Sequence, residues 1–131
     1  MKKSYRGFVL WLIIWMVLIF VLPFISPDGA TGMRLVCNLM TLGMASLAHL
    51  ICVTDSVYWY TGISFEEAEA AGPERRAAYA NAHRKRFGWL ALAVLALSAA
   101  GHALGWSMWI DFTAATVGLV VVAVSTIGLR L

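Results

Sequence analysis

The segment MRLVCNLMTLGMASLAHLICVTDSVYWY, residues Met33–Tyr60, decides the fold class of this chain. It is long enough to cross a bilayer as a helix, since about 20 apolar residues span the hydrocarbon core. Unlike the other apolar stretches of the chain, it is interrupted by polar side chains along its whole length. The segment therefore predicts a membrane-crossing helix with one face turned away from lipid.

Most of these polar side chains share one face of a helical wheel, which comprises Asn38, Thr41, His49, Cys52 and Ser56, with Asp55 at its edge. We interpret this face as pointing inward, for interhelical contacts or as a polar path, with His49 as its deepest ionisable group. A metal site of His49, Cys52 and Asp55 is disfavoured, because the first and last diverge by about 120° around the helix. We predict no metal and no cofactor.

Two further predictions concern the chemistry of this segment. Asp55 lies near its end, and we predict a salt bridge with Arg6 or Arg86 at the level of the lipid headgroups. Cys37 and Cys52 are about 22 Å apart on one helix, so they cannot form a disulfide with each other.

Composition supports an all-α integral membrane protein. The 131 residues are 61% hydrophobic and 13% charged, whereas soluble domains carry about 25% charged residues. The alternation of apolar and polar residues that barrel strands need is absent. The net charge of +3 does not indicate nucleic acid, because the Lys and Arg residues gather at predicted membrane edges.

We predict a single transmembrane domain over residues 1–131, built as a four-helix bundle. Its spans cover approximately residues 7–24, 33–60, 88–104 and 112–129. The basic start and apolar run of the first span are also typical of a signal peptide. The length of the run, together with Trp11 and Trp15, favours a span that is retained.

Residues 61–87 predict a short cytoplasmic helical hairpin between the second and third spans. Ser64 and Glu67 have the spacing of a capping box, which starts a short helix. Gly72 ends that helix, and Pro73 suits the start of another, which can run straight on into the third span.

Small residues in the last two spans predict close helix packing. The third span contains Ala96, Ala100 and the pair Gly101 and Gly105, and the fourth contains Gly118. Small side chains let helix backbones approach closely, which drives association in lipid. His102, near the far end of the third span, is grouped with the polar interhelical contacts.

Basic residues predict the orientation. With both termini in the cytoplasm, nine Lys and Arg residues lie on that side and only Arg34 lies outside. Five of the nine are in the connecting region and are predicted to contact anionic lipid headgroups or a partner, namely Arg75, Arg76, Arg84, Lys85 and Arg86.

The connecting region, GISFEEAEAAGPERRAAYANAHRKRFG, resembles the cytoplasmic loop of a group of small, uncharacterised, multi-spanning bacterial inner-membrane proteins. The resemblance is carried by Glu74, Tyr79, Arg86, Phe87 and Gly88. It implies a bacterial cytoplasmic (inner) membrane as the location, and it implies no particular chemistry.

The sequence favours a non-catalytic function, because no nucleophile–base pair or metal motif supports an enzyme, and we predict no catalytic residues. We expect a small membrane protein that acts through helix packing, as a homo-oligomer or with another membrane protein. The alternative is a small oligomeric channel or transporter, with a polar path lined by the second span. A path must be continuous and wet, whereas a packing face is dry and closed.

Overall fold

The structure, a computed structural model, describes residues 3–131 and is all-helical over that range. Five α-helices follow one another: α1 (Arg6–Val21), α2 (Gly29–Thr54), α3 (Phe65–Ala71), α4 (Pro73–Leu104) and α5 (Met108–Ile127). Two 3₁₀ turns, Leu22–Ile25 and Val57–Trp59, follow α1 and α2. Four of the helices, α1, α2, α4 and α5, are long and apolar enough to cross a membrane.

Local caps set the bounds of α2, which lies closer to the N-terminus than the predicted span over residues 33–60. The Asp28 carboxylate accepts hydrogen bonds from the Thr31 amide at 2.8 Å and the Thr31 hydroxyl at 2.9 Å. These bonds start the helix and lower the pKa of Asp28. The helix ends because Asp55 adopts a left-handed conformation with φ of 52°. Ser56 and Tyr60 therefore lie in the loop after the helix.

Two helices cover the predicted connecting region, α3 and the first turns of α4, and α4 is continuous with the third span. The Ser64 hydroxyl accepts from the Glu67 amide at 3.1 Å, and the Glu67 carboxylate accepts from the Ser64 amide at 2.8 Å. This capping box opens α3. After Gly72, Pro73 opens α4, which runs without a break for 32 residues.

α2, α4 and α5 form the core of the bundle, and α1 lies at its edge. Cys37 of α2, Val94 of α4 and Ala115 of α5 make a buried cluster where the three helices meet. No side chain of α1 is buried, and this helix packs mainly on α2. There the Trp11 indole donates a 2.9 Å hydrogen bond to the Ser46 hydroxyl.

The bundle has two different ends. The terminal end holds the first and last described residues, Lys3 and Leu131, together with residues 55–72. There the Ser4 carbonyl accepts hydrogen bonds from the Tyr58 hydroxyl at 2.8 Å and the Trp59 indole at 3.0 Å, and the Leu131 carbonyl accepts from Arg75. The short-loop end holds residues 22–28 and 105–107.

Contacts along the helices fix their axial register. α2 and α4 are antiparallel, with Arg34 opposite Ser98 near one end and Cys52 opposite Asn81 near the other. The basic run 84–86 of α4 is therefore about level with residues 46–48 of α2. The Arg86 guanidinium also donates to Ser125 of α5, which brings that helix to the same level.

Candidate functional site

A buried ion pair joins the three core helices at the short-loop end. The Arg34 guanidinium donates to the Ser98 carbonyl at 3.1 Å and to the Trp106 carbonyl. Its Nη1 lies 3.4 Å from Oδ2 of Asp111, and the two side chains are 9% and 1% exposed. One side chain from α2 thus binds the last turns of α4, the loop after α4 and the first turn of α5.

Gly101 makes room for this cation. A Cβ atom at position 101 would lie 2.5 Å from Nη1 of Arg34. Gly105, its predicted packing partner, ends α4 instead, with φ of 67° and no neighbouring atom within 4 Å of a Cβ. The two glycines therefore have separate roles: Gly101 leaves space for the Arg34 guanidinium, and Gly105 caps the end of α4 in a left-handed conformation.

The sequence interpretation missed this ion pair. Arg34 was counted as the one basic residue on the outer side of the membrane, and the predicted fourth span began at residue 112, one residue after Asp111. The structure starts α5 at Met108, which moves Asp111 into its first turn, where the helix dipole favours an anion. The sequence did contain a signal for this pair: Arg34 and Asp111 each lie within an apolar stretch, and both stretches have these residues near the short-loop end of the bundle.

Two acceptor oxygens near this ion pair have no hydrogen-bond donor among residues 3–131. They are Oδ1 of Asp111 and Oδ1 of Asn38, both buried. The Asn38 amide nitrogen donates to the Arg34 carbonyl at 2.8 Å, so Asn38 lies one turn along from the cation. The described residues contain no group of three or more His, Cys, Asp and Glu that could hold a metal ion.

A second ion pair closes the connection from α2 to α4 at the terminal end. Arg76 binds Asp55 with both sides of its guanidinium, from Nε to Oδ1 at 2.8 Å and from Nη2 to Oδ2 at 2.7 Å. It also donates to the Ala68 carbonyl of α3 at 3.1 Å. Asp55 therefore pairs with Arg76, and the predicted partners Arg6 and Arg86 were wrong.

Three aromatic rings, those of Tyr60, Tyr79 and His83, form a cluster at the same end of the bundle. The ring centroids of Tyr60 and His83 are 4.2 Å apart, and those of Tyr79 and His83 are 4.4 Å apart. Nδ1 of His83 lies 3.0 Å from the Tyr79 carbonyl. The Tyr60 hydroxyl is buried and has no partner within residues 3–131, and burial raises the pKa of Tyr60 far above its usual value.

A cavity of about 1090 Å³ lies against these rings and extends between α1 and α5. Its walls combine apolar side chains of all four long helices with a charged rim. Aromatic residues in the lining are Phe8, Trp59, Tyr60, Tyr79, His83 and Phe87, and charged ones are Glu67, Arg75 and Arg130. The sequence interpretation assigned no role to Phe8 and used Arg130 only for the orientation, because only the bundle brings the two residues together.

The predicted polar face of α2 does not form a continuous surface. Thr41 is fully buried, and its hydroxyl donates to carbonyls of its own helix, those of Cys37 at 3.3 Å and Asn38 at 3.1 Å. His49 lies on the exposed side of α2. Within this single bundle the prediction of an inward-pointing His49 is wrong, since His49 is exposed and Arg34 is the buried ionisable residue of α2. That His49 faces the axis of an oligomer stays a prediction.

The remaining residues of that face also make separate contacts. The Cys52 thiol lies 3.5 Å from the side-chain oxygen of Asn81. Ser56 is buried beyond the end of α2, and its hydroxyl accepts from that of Thr54 at 3.0 Å. His102 is exposed at the end of α4.

The small residues chosen for packing have different surroundings. Gly118 packs closely, since a Cβ there would lie 2.4 Å from Leu90 of α4. Ala96 is exposed and Ala100 is half-buried. The close approach of α4 and α5 therefore occurs at Gly118, while Gly101 receives the Arg34 side chain.

Among the five basic residues of the connecting region, Arg76 is buried in its ion pair. Arg75 and Lys85 are exposed, and Arg84 and Arg86 are half-exposed. Arg84, Lys85 and Arg86 lie together at one level of the bundle, and Arg75 lies at the rim of the cavity.

Comparison with protein-family models, curated proteins and solved structures finds no match for this chain.

Proposed function

We propose that this chain is a non-catalytic integral membrane protein that acts through helix packing, with partner membrane proteins or with further copies of itself. Four helices, α1, α2, α4 and α5, cross the bilayer. The support for this is their length and mean hydropathy, which reaches 2.9 in the first candidate span. Each is close to or above the roughly 20 residues that the hydrocarbon core requires.

The proposed orientation places the terminal end in the cytoplasm. Among the described residues this end, taken together with α4 up to Arg86, holds eight Lys and Arg and five Asp and Glu, a net charge of +3. The short-loop end holds Arg34, Asp28 and Asp111, a net charge of −1. Basic residues are concentrated on the cytoplasmic side of membrane proteins. The resemblance of the connecting region supports the bacterial inner membrane as the location.

One observation favours a packing role over a transport role: several polar groups on α2 already have hydrogen-bond partners within the bundle. The Thr41 and Ser46 hydroxyls donate to carbonyls of α2 itself, and the Arg34 guanidinium is held by the ends of two other helices. A conducting path needs polar groups that remain free to solvate an ion or substrate. These groups are instead already hydrogen-bonded, either within α2 or to other helices.

Reconstitution tests the proposal against the channel alternative. Purified protein in liposomes should resist alkaline extraction and give proton and cation flux no greater than empty liposomes. Cysteines placed at Pro27 and Ala70 of a Cys-free variant should react with an impermeant maleimide from opposite sides of sealed cells, Ala70 only from the cytoplasm. Flux above the empty-liposome level that is abolished by His49→Leu would favour the channel and overturn the proposal.

A further inference from the structure

The cavity at the terminal end is a groove between two helices that pack on the core separately. Phe8 of α1 lines one side and Val124 of α5 lines the other, with Met44 and Leu47 of α2 between them. α1 packs mainly on α2 rather than on α5. At about 1090 Å³ the groove is as large as sites for drug-sized ligands, which measure about 300–1,000 Å³.

The chemical character of the groove changes along the bundle axis. The apolar residues Met44, Leu47 and Phe87 lie near the level of the basic run 84–86, on the side of the hydrocarbon core. Glu67, Arg75 and Arg130 lie at the other extreme, among the termini and α3. One continuous groove therefore passes from apolar walls to a charged rim at the level where a bilayer changes from acyl chains to headgroups.

We propose that this groove binds one anionic phospholipid of the surrounding leaflet. An acyl chain lies between α1 and α5, and the phosphate lies at Arg75 and Arg130. The inference deepens the proposed function and rests on the membrane insertion stated there. Basic pockets between membrane helices on the cytoplasmic side recognise anionic headgroups in this way.

The charges at the rim favour a phosphate over a second protein helix. Arg130 is exposed and makes no hydrogen bond or ion pair with residues 3–131. Arg75 donates to the Leu131 carbonyl, and a guanidinium has four further N–H donors. Glu67, the one acidic residue in the lining, is held by the Ser64 amide. An apolar partner helix would leave Arg130 without a counter-charge.

Native mass spectrometry of the full chain in mild detergent tests the inference, with phosphatidylglycerol and phosphatidylcholine as probes. We expect one phosphatidylglycerol to bind in preference to phosphatidylcholine. The double variant Arg75→Gln/Arg130→Gln should bind phosphatidylglycerol at least about fivefold more weakly, since each basic residue near an anionic headgroup contributes on that scale. Ala123→Trp, which fills the apolar part of the groove, should weaken binding without a change in charge.

The matched control removes two charges from outside the groove, at the level of its apolar part. Arg84→Gln/Lys85→Gln should keep phosphatidylglycerol affinity within about twofold of the unchanged protein, because neither residue lines the cavity. Equal binding of the two lipids, or equal loss in both double variants, would overturn the inference. The inference would also be overturned if a polypeptide remained bound to the purified protein and the Ala123→Trp substitution displaced it, since that would identify a partner helix in the groove. None of these results alters the flux and extraction measurements that test the proposed function.

Discussion

The two ion pairs of the bundle have similar chemistry and opposite surroundings. Arg76 and Asp55 approach to 2.7 Å, but the Asp55 side chain is 46% exposed. Arg34 and Asp111 are 3.4 Å apart and almost fully buried. The pair of Arg76 and Asp55 has the better geometry. In the pair of Arg34 and Asp111, however, removal of one partner leaves the other charge buried away from solvent. Burial rather than distance therefore decides which pair the fold depends on.

The two ends of the bundle differ in the same sense. At the short-loop end Arg34 ties three elements together. At the terminal end the α2–α4 connection is also tied, but a groove remains open beside it between α1 and α5. The closed end supplies stability, and the open end leaves cationic and aromatic side chains available to a ligand.

The largest effect is expected from the two acids. Asp111→Asn should lower the free energy of unfolding by about 3–5 kcal/mol, because it leaves the Arg34 charge buried and uncompensated. Asp55→Asn should lower it by about 1 kcal/mol or less, because water screens that pair. Unfolding in mixed micelles with increasing dodecyl sulfate measures both values. Equal losses would contradict the contrast between the two ends.

An intermediate effect is expected from two glycines of α4. Gly101→Ala should destabilise the protein by about 1–3 kcal/mol, because its new methyl group would overlap the Arg34 guanidinium. Gly88→Ala is the matched control in the same helix. No atom lies within 4 Å of a Cβ at position 88, so the substitution should stabilise the helix by up to about 1 kcal/mol. The same unfolding measurement distinguishes the two substitutions. If Gly101→Ala leaves the free energy of unfolding unchanged, the Arg34 guanidinium does not lie against Gly101.

The smallest effect is expected from two tyrosines of the terminal end. Tyr58→Phe should cost about 0.5–1.5 kcal/mol of unfolding free energy, because the Tyr58 hydroxyl joins the N-terminal segment through the Ser4 carbonyl. Tyr60→Phe should be neutral or stabilising, because its buried hydroxyl has no partner in the described part of the chain. Thermal unfolding in detergent measures both, and a larger loss for Tyr60→Phe would reverse the assignment.

Local chemistry made much of the fold predictable. The four long apolar helices follow from runs of apolar residues, and the start of α3 follows from the spacing of Ser64 and Glu67. These features depend on neighbours in sequence. The ion pair of Arg34 and Asp111 depends on how three helices are aligned, and no local signal specifies that alignment.

The assignment of residues to the buried or exposed side of α2 depends on how the helix is rotated about its axis. The wheel was centred on the polar residues, which placed His49 inward. The buried side of the helix instead includes Cys37, Thr41 and Ala48, and His49 is one residue, or about 100°, beyond Ala48. Polarity was a poor guide because Thr41 and Ser46 satisfy their hydroxyls within α2. The groove was not predictable either. Its lining comes from all four long helices and from residues 59–71 and 129–131, which are brought together only in the folded chain.

The central claim is that the polar groups of α2 pack against other helices and do not line a water-filled path. The chain contains a direct probe, because Cys37 lies on the buried side of α2, 2% exposed, near Thr41 and Arg34. Cys52 is partly exposed near the terminal end. The measurement is the rate at which a small, charged methanethiosulfonate reagent modifies each cysteine in Cys37→Ala and Cys52→Ala variants in liposomes. The account predicts that Cys52 reacts and that Cys37 is protected until the protein is unfolded, whereas rapid modification of Cys37 in the folded protein would contradict it.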